Sequence, residues 1–343
     1  MKNLIRQIQH NCHISDAQYA GNYTLCIYLL KMREYYRWEK QLPFTEKLNN
    51  NDIGQWLTQR EALWDDIDEQ PLTDSHINGQ LFDLYDSKNI NLQLANKQLV
   101  YSAGYGLYGK PIFFLGELLH KETLDDYTLY ISGKELVRDL TAPPGMAQEK
   151  TIYIRRESLR RFIWEKVEES QWHKQENPLS RALTCYDFKN QPEDALEKMT
   201  DNEVDTILQH EIGEIKAGKI LGESWEDMLV NLPHSQAEIM TRAVRDNIAD
   251  MLSTLPKLLE KNEAAQIHFY FANLSSMRKM IFPSLPEAYK NWLNNGNSSR
   301  LKALISVASD HWINMAKQIL ELYRQHGEKS QTKIETLINN NYL

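Results

Sequence analysis

Four short runs decide the fold class of this chain: Gln98-Leu-Val-Tyr-Ser102, Pro111-Ile-Phe-Phe-Leu115, Tyr127-Thr-Leu-Tyr-Ile131 and Thr151-Ile-Tyr-Ile154. They concentrate β-branched and aromatic residues, which suit a pleated, half-buried surface. Turn formers separate them, namely Gly104, Gly106, Gly109, Gly133 and the triplet Pro143-Pro144-Gly145. Short apolar runs bounded by such punctuation predict a small antiparallel sheet over 72–154. Leu118-Leu-His120 extends the second strand, and Pro143 to Glu149 reads as a linker.

Working outward from the sheet, both flanks are helical. On the N-terminal side, Ser15-Asp-Ala-Gln18 has the form of a capping box, in which two side chains satisfy orphan amides reciprocally. It predicts a long helix reaching about residue 40, with the apolar run Leu25-Cys-Ile-Tyr-Leu-Leu30 buried at its centre and Pro43 barring continuation. A second helix is expected over about 52–66. On the C-terminal side, helices are expected at about 156–173, 201–221, 235–260, 263–281, 285–294, 300–325 and 330–339. Capping boxes at Thr200/Glu203, Ser235/Glu238 and Ser284/Glu287 mark three of their starts. Val244, Ile248, Met251 and Leu255 form one apolar stripe, and Leu301, Leu304, Ala308, Trp312 and Ile319 another. Stripes of this kind are buried most simply in a helical bundle. The expected architecture is α+β: an N-terminal α+β domain at 1–154 (helices 1–71, small sheet 72–154) and a larger C-terminal helical domain at 155–343.

The composition narrows the class further. The 343 residues are 42% hydrophobic and 25% charged, ordinary for a folded protein, and the formal charge is −8. Phosphate neutralisation by lysine and arginine carries most nucleic-acid affinity. The densest basic stretch, Arg155, Arg156, Arg160 and Arg161, is interleaved with Glu157 and Glu165, so nucleic acid is not expected as a partner. No apolar run approaches the length of a membrane span, and the first residues lack a secretory pattern. Cys12, Cys26 and Cys185 are scattered and odd in number, as expected in a reducing cytoplasm.

The most chemical string is Gln209-His-Glu-Ile-Gly-Glu214. His210 and Glu214 are spaced i, i+4 and share one helix side, so both can ligate one metal. Glu211 is placed as the glutamate base of the H-E-x-x-H zinc proteases is, but the second histidine of that motif is replaced by Glu214. On a helical wheel the stripe Val204, Leu208, Ile212 and Ile215 is the expected core face, with Glu211 at its border. Gly213 and Gly218 weaken the helix, and close approach of another backbone would account for them. In the next helix Asp246 and Asp250 are again i, i+4. A hairpin turning near residue 228 sets His210 opposite Asp246, and His311 is a fourth candidate ligand. The plain alternative is an amphipathic helix whose carboxylates pair with arginines such as Arg242. Other chemistries fare worse. Glu117-Leu-Leu-His120 is a single Glu-x-x-His in a β region, Gly104 to Gly109 lacks phosphate-loop spacing, and there is no nucleophile elbow. Cys12 is reactive only if it sits at a helix N-terminus.

The opening Asn11-Cys-His-Ile-Ser-Asp-Ala-Gln-Tyr-Ala-Gly-Asn-Tyr-Thr-Leu-Cys26, with His210-Glu-Ile-Gly-Glu214 and Arg242-Ala-Val-Arg-Asp-Asn-Ile-Ala-Asp250, resembles the Sfum-type bacterial proteins of unknown function. The resemblance covers most of the chain. It implies a bacterial, cytosolic protein and transfers no activity.

Two functions stand at this level. One is a metal-dependent enzyme of undefined reaction, with His210, Glu214, Asp246 and His311 holding iron, manganese or zinc and Glu211 as base. The other is an adaptor that docks a protein through the aromatics Tyr35, Tyr36 and Trp38.

Overall fold

A computed structural model describes residues 1–106, 109–172 and 176–343, so part of the glycine-rich turn after Gly106 lies outside the described residues. The fold class is α+β, as the strand-forming runs and flanking helical periodicity require. The chain divides into two compact units, residues 1–165 with 189–200 and residues 166–188 with 201–343.

In the first unit three helices, α1 (Lys2–Tyr19), α2 (Leu25–Glu39) and α3 (Asn50–Asp65), precede a hairpin of β1 (Ser75–Ile77) and β2 (Gln80–Phe82) and a short α4 (Ser87–Leu94). Then come β3 (Leu99–Tyr105), β4 (Pro111–Thr123), β5 (Thr128–Arg138), β6 (Gly145–Gln148) and β7 (Thr151–Arg155), followed by the first part of α5 (Arg156–Trp172) up to residue 165. The larger sheet has the order β3-β4-β5-β7-β6. Its β3–β4, β4–β5 and β6–β7 ladders are antiparallel, whereas β5 and β7 run parallel. The parallel pair arises because the chain leaves β5, runs up the outer edge as β6, and turns back between them. The expected linker at Pro143 to Glu149 is therefore largely an edge strand, where missing proline donors are tolerated.

One face of the sheet is covered by α1, which buries Leu4, Ile8 and Cys12 against Tyr101, Phe113, Leu115 and Val137. Ser15 is interior to α1 and donates to the Pro111 carbonyl, and Gln18 Nε2 donates to the Asp68 carbonyl at 2.8 Å, so no cap forms there. The expected single helix breaks at Ala20–Asn22, and most side chains in the first two turns of α2 are exposed. Leu25, Ile27, Leu29 and Leu30 are exposed rather than central. The aromatics further along α2 are the buried ones: Tyr35, Tyr36 and Trp38 pack with Trp56 and Trp64 of α3. They do not form a docking surface. Cys12 is fully enclosed, and burial pushes its thiol up, so the reactive-cysteine reading fails.

The basic stretch at the end of β7 and the start of α5 is answered residue by residue. Arg155 pairs with Glu135, Arg156 with Glu197, Arg160 with Glu193 and Arg161 with Glu157.

The second unit is helical. It comprises α6 (Pro178–Thr184), most of α7 (Pro192–Leu221), α8 (Glu223–Asn231), α9 (Gln236–Ala249), α10 (Leu255–Lys261), α11 (Ala264–Asn273), α12 (Ser276–Ile281), α13 (Ser284–Asn295), α14 (Ser299–His326) and α15 (Gln331–Asn339). Between α9 and α10 the backbone winds through a π turn, Asp250–Thr254. The two apolar stripes line its core: Val244, Ile248, Met251 and Leu255 meet Leu301, Ala308, Trp312 and Ile319. Among the described residues no helix is long and apolar enough to cross a membrane.

Candidate metal centre

Helices α7 and α9 lie side by side, and Gly213 is the reason they approach so closely. A Cβ at Gly213 would stand 2.2 Å from the Ala249 carbonyl oxygen, so only glycine permits this crossing. Gly218, the other glycine of the string, has open space around its Cβ position and plays no such part. Residues facing one another across the contact are Gln209 with Ser253, His210 with Asp250, and Glu214 with Arg245.

This register differs by one helical turn from a hairpin centred on residue 228, because α8 occupies the connection. His210 consequently faces Asp250. Its Nδ1 and the Asp250 Oδ1 are 2.9 Å apart. Asp246, one turn back along α9, comes level with Glu214. The ligand atoms of His210, Glu214 and Asp246 all lie within 4.8 Å of one another.

Asp250, fully buried, is the hub of a hydrogen-bond network that the sequence reading missed. Its carboxylate accepts from Thr254 Oγ1 at 2.8 Å, from the Tyr270 hydroxyl at 2.7 Å and from the Arg278 guanidinium. Arg278 also donates from Nε to Asn247 Oδ1 at 2.9 Å. Burial alone would raise the Asp250 carboxyl, but Arg278, followed by His210 and Tyr270, holds it well below the usual carboxylate range. Burial likewise would lower His210. The hydrogen bond and charge of Asp250, reinforced by Glu211 and Glu214, carry it up to about 10 instead. With both nitrogens protonated below that value, a metal at Nε2 would displace the proton there while Asp250 keeps hold of the Nδ1–H and so fixes the ring. The π turn begins at Asp250, and such turns recur at functional sites because they re-aim side chains within a helix. The only sequence signs of it were the Asp246/Asp250 spacing and Pro256, which cannot donate to the Leu252 carbonyl; that oxygen accepts from Lys216 Nζ at 3.4 Å.

Glu214 Oε2 pairs with Arg245 Nε at 2.7 Å, while its Oε1 is buried with no hydrogen-bond partner among the described residues. Arg245 also reaches Glu226 at 2.9 Å. Burial raises the Glu214 carboxyl, against the lowering by Arg245 and His210. Glu211 is buried and acts on His210 through its charge, and it is not one of the three converging residues. His311 is not brought to the site either. It stands beside Trp312 on α14, ring edge to ring at 4.6 Å. His268 is a packed core histidine, 2.8 Å from the Tyr289 hydroxyl. The expected core face of α7 is also corrected, since Val204, Leu208 and Ile212 are only half-buried.

Comparison with known families also divides the chain in two, at residues that differ from those separating the compact units. Residues 3–155 match the N-terminal domain, and residues 160–341 the C-terminal domain, of a family of unknown function (DUF6866). The chain belongs to the DUF6866 family. No curated protein and no solved structure shows significant similarity to it. An uncharacterised family, which the resemblance in the opening residues implied, is thus what the chain belongs to. His210, Glu214, Asp246 and Asp250 all fall within the C-terminal domain of DUF6866.

Proposed function

We propose that this DUF6866 protein is a divalent-metal-dependent enzyme whose metal is held by His210, Glu214 and Asp246. The observation that carries the reading is the convergence of these three donors, with the orphaned Glu214 Oε1 among them. Three protein ligands leave coordination positions for water and substrate, as in catalytic rather than structural sites. Asp250 serves as the outer carboxylate that orients the histidine. One imidazole and two carboxylates favour manganese, iron or zinc. In this reading Glu211 is a buried negative charge next to the centre and the nearest candidate for a base. The reaction itself is left open. We also take the protein to be bacterial and cytosolic, as the Sfum-type resemblance implies.

Metal analysis of untagged protein, followed by titration of EDTA-treated protein with manganese and zinc, tests this. About one ion per chain is expected, and His210→Ala or Asp246→Asn should weaken binding at least about tenfold. Substoichiometric metal that His210→Ala leaves unchanged would sink the proposal. An adaptor role would need a different surface from the aromatics, and the exposed Leu25, Ile27, Leu29 and Leu30 of α2 are the apolar side chains available.

A further inference from the structure

The first unit contains a second site of different chemistry. A partly enclosed cavity of about 80 Å³ is lined by Lys31 and Glu34 from α2, Arg138 at the end of β5, and Ser158, Arg161 and Glu165 from α5. Both arginines lining it are 7% exposed at the side chain and incompletely bonded. Among the described residues, Arg138 Nη1 and Arg161 Nε have no hydrogen-bond partner. A buried guanidinium N–H without an acceptor is costly, and native structures rarely leave one unless water or a ligand completes it.

The surrounding charges sharpen what that ligand is. Glu34 is answered by Arg37, 3.2 Å away, Glu135 by Arg155 at 2.9 Å, and Glu157 by Arg161 at 2.6 Å. Arg138 lies 4.0 Å from Glu135, and its guanidinium stacks over the rings of Tyr35 and Trp38. Lys31 is half-buried, with its ammonium 5.4 Å over the Tyr23 ring. Burial lowers its pKa; the charges of Arg138 and Lys110 lower it further, against the raising effect of Glu165 and Asp139. Lys31, Arg138 and Arg161 thus outnumber the carboxylates facing the same space, and Glu165 stands exposed at the rim. One unbonded N–H from each of two guanidinium groups, with an ammonium beside them, suits an oxyanion. The volume equals that of about two to three water molecules, which one tetrahedral oxyanion fills.

We propose that this cavity binds a phosphate group, free or at the end of a larger molecule, through Lys31, Arg138 and Arg161. The test uses the full chain, treated with EDTA so that phosphate does not report a metal. Inorganic phosphate and phenyl phosphate are titrated calorimetrically at fixed ionic strength, with chloride as the control. Saturable binding of inorganic phosphate is expected, and Lys31→Met should weaken it about tenfold or more. Lys31 is only half-buried, so this variant should melt like the wild type in chloride, whereas Arg138→Gln risks the fold. Binding of phenyl phosphate as well would assign the cavity to a terminal phosphate on a larger ligand; binding of inorganic phosphate alone would assign it to the free ion. No saturable binding of either, or equal binding by Lys31→Met, would overturn the proposal.

Discussion

At Gly213 a single hydrogen atom sets the distance between α7 and α9. Replacing it with a methyl group forces the Ala249 backbone aside, because that carbonyl oxygen lies 2.2 Å from the new atom. Gly213→Ala is therefore expected to destabilise the protein by about 1–3 kcal/mol, the usual range for overpacking. It should also weaken metal binding, since His210 and Asp250 flank the same contact. Gly218→Ala is the internal control. Nothing stands within 4 Å of its Cβ position, so the gain in helix propensity should stabilise by about 0.5–1 kcal/mol. Urea denaturation of both variants measures the pair, and equal effects would show that the close crossing does not govern stability.

Among elements, the helix starts separate local signals from tertiary ones. Ser235 caps α9 as its spacing predicts, its side chain accepting from the Glu238 amide. Ser235→Ala should cost about 0.5–2 kcal/mol. Ser284 has the same spacing, yet its hydroxyl is buried with no partner among the described residues and caps nothing. Ser284→Ala should leave chemical stability within about 0.5 kcal/mol or raise it, because an unpaired buried hydroxyl is removed. Denaturant midpoints of the two variants discriminate them. Thr200 fails for another reason: it is interior to α7, and its hydroxyl donates to the Leu196 carbonyl at 2.6 Å. The same division explains what was legible in the sequence. Strand runs, the α9 and α14 stripes, and the pairing of His210 with Glu214 on one side are local patterns of period two or 3.6, and they appear as read. The break at Ala20–Asn22, the strand β6 and the π turn at Asp250 depend on what packs against them. The one-turn shift between α7 and α9 is of the same kind, since it requires knowing that α8 fills the connection. Tyr270 and Arg278 were invisible because nothing in their own segments marks them; only the fold brings them to Asp250.

For the molecule as a whole, one buried acid in the second unit makes stability depend on pH. Glu203 is 1% exposed, its carboxylate enclosed beside the Thr206 hydroxyl. Burial is the main cause that raises its pKa to about 8, outweighing the lowering by Thr206 and Lys261. The folded state therefore holds this proton more tightly than the unfolded chain does. Its stabilising effect is complete below the unfolded value of 4.5 and is lost as pH rises through about 8. Glu203→Gln, which cannot ionise, should escape that loss. The stability of the variant minus that of wild type is expected to grow with pH across this window, by about 1–3 kcal/mol in total after allowing for relaxation around the charged form. Other groups titrate in both proteins and cancel in the difference. Thermal melts of the two proteins in parallel from acid to mildly alkaline buffer provide the measurement. A constant difference across the range would mean that Glu203 ionises in the folded state as easily as in water, and that its burial carries no pH-dependent cost.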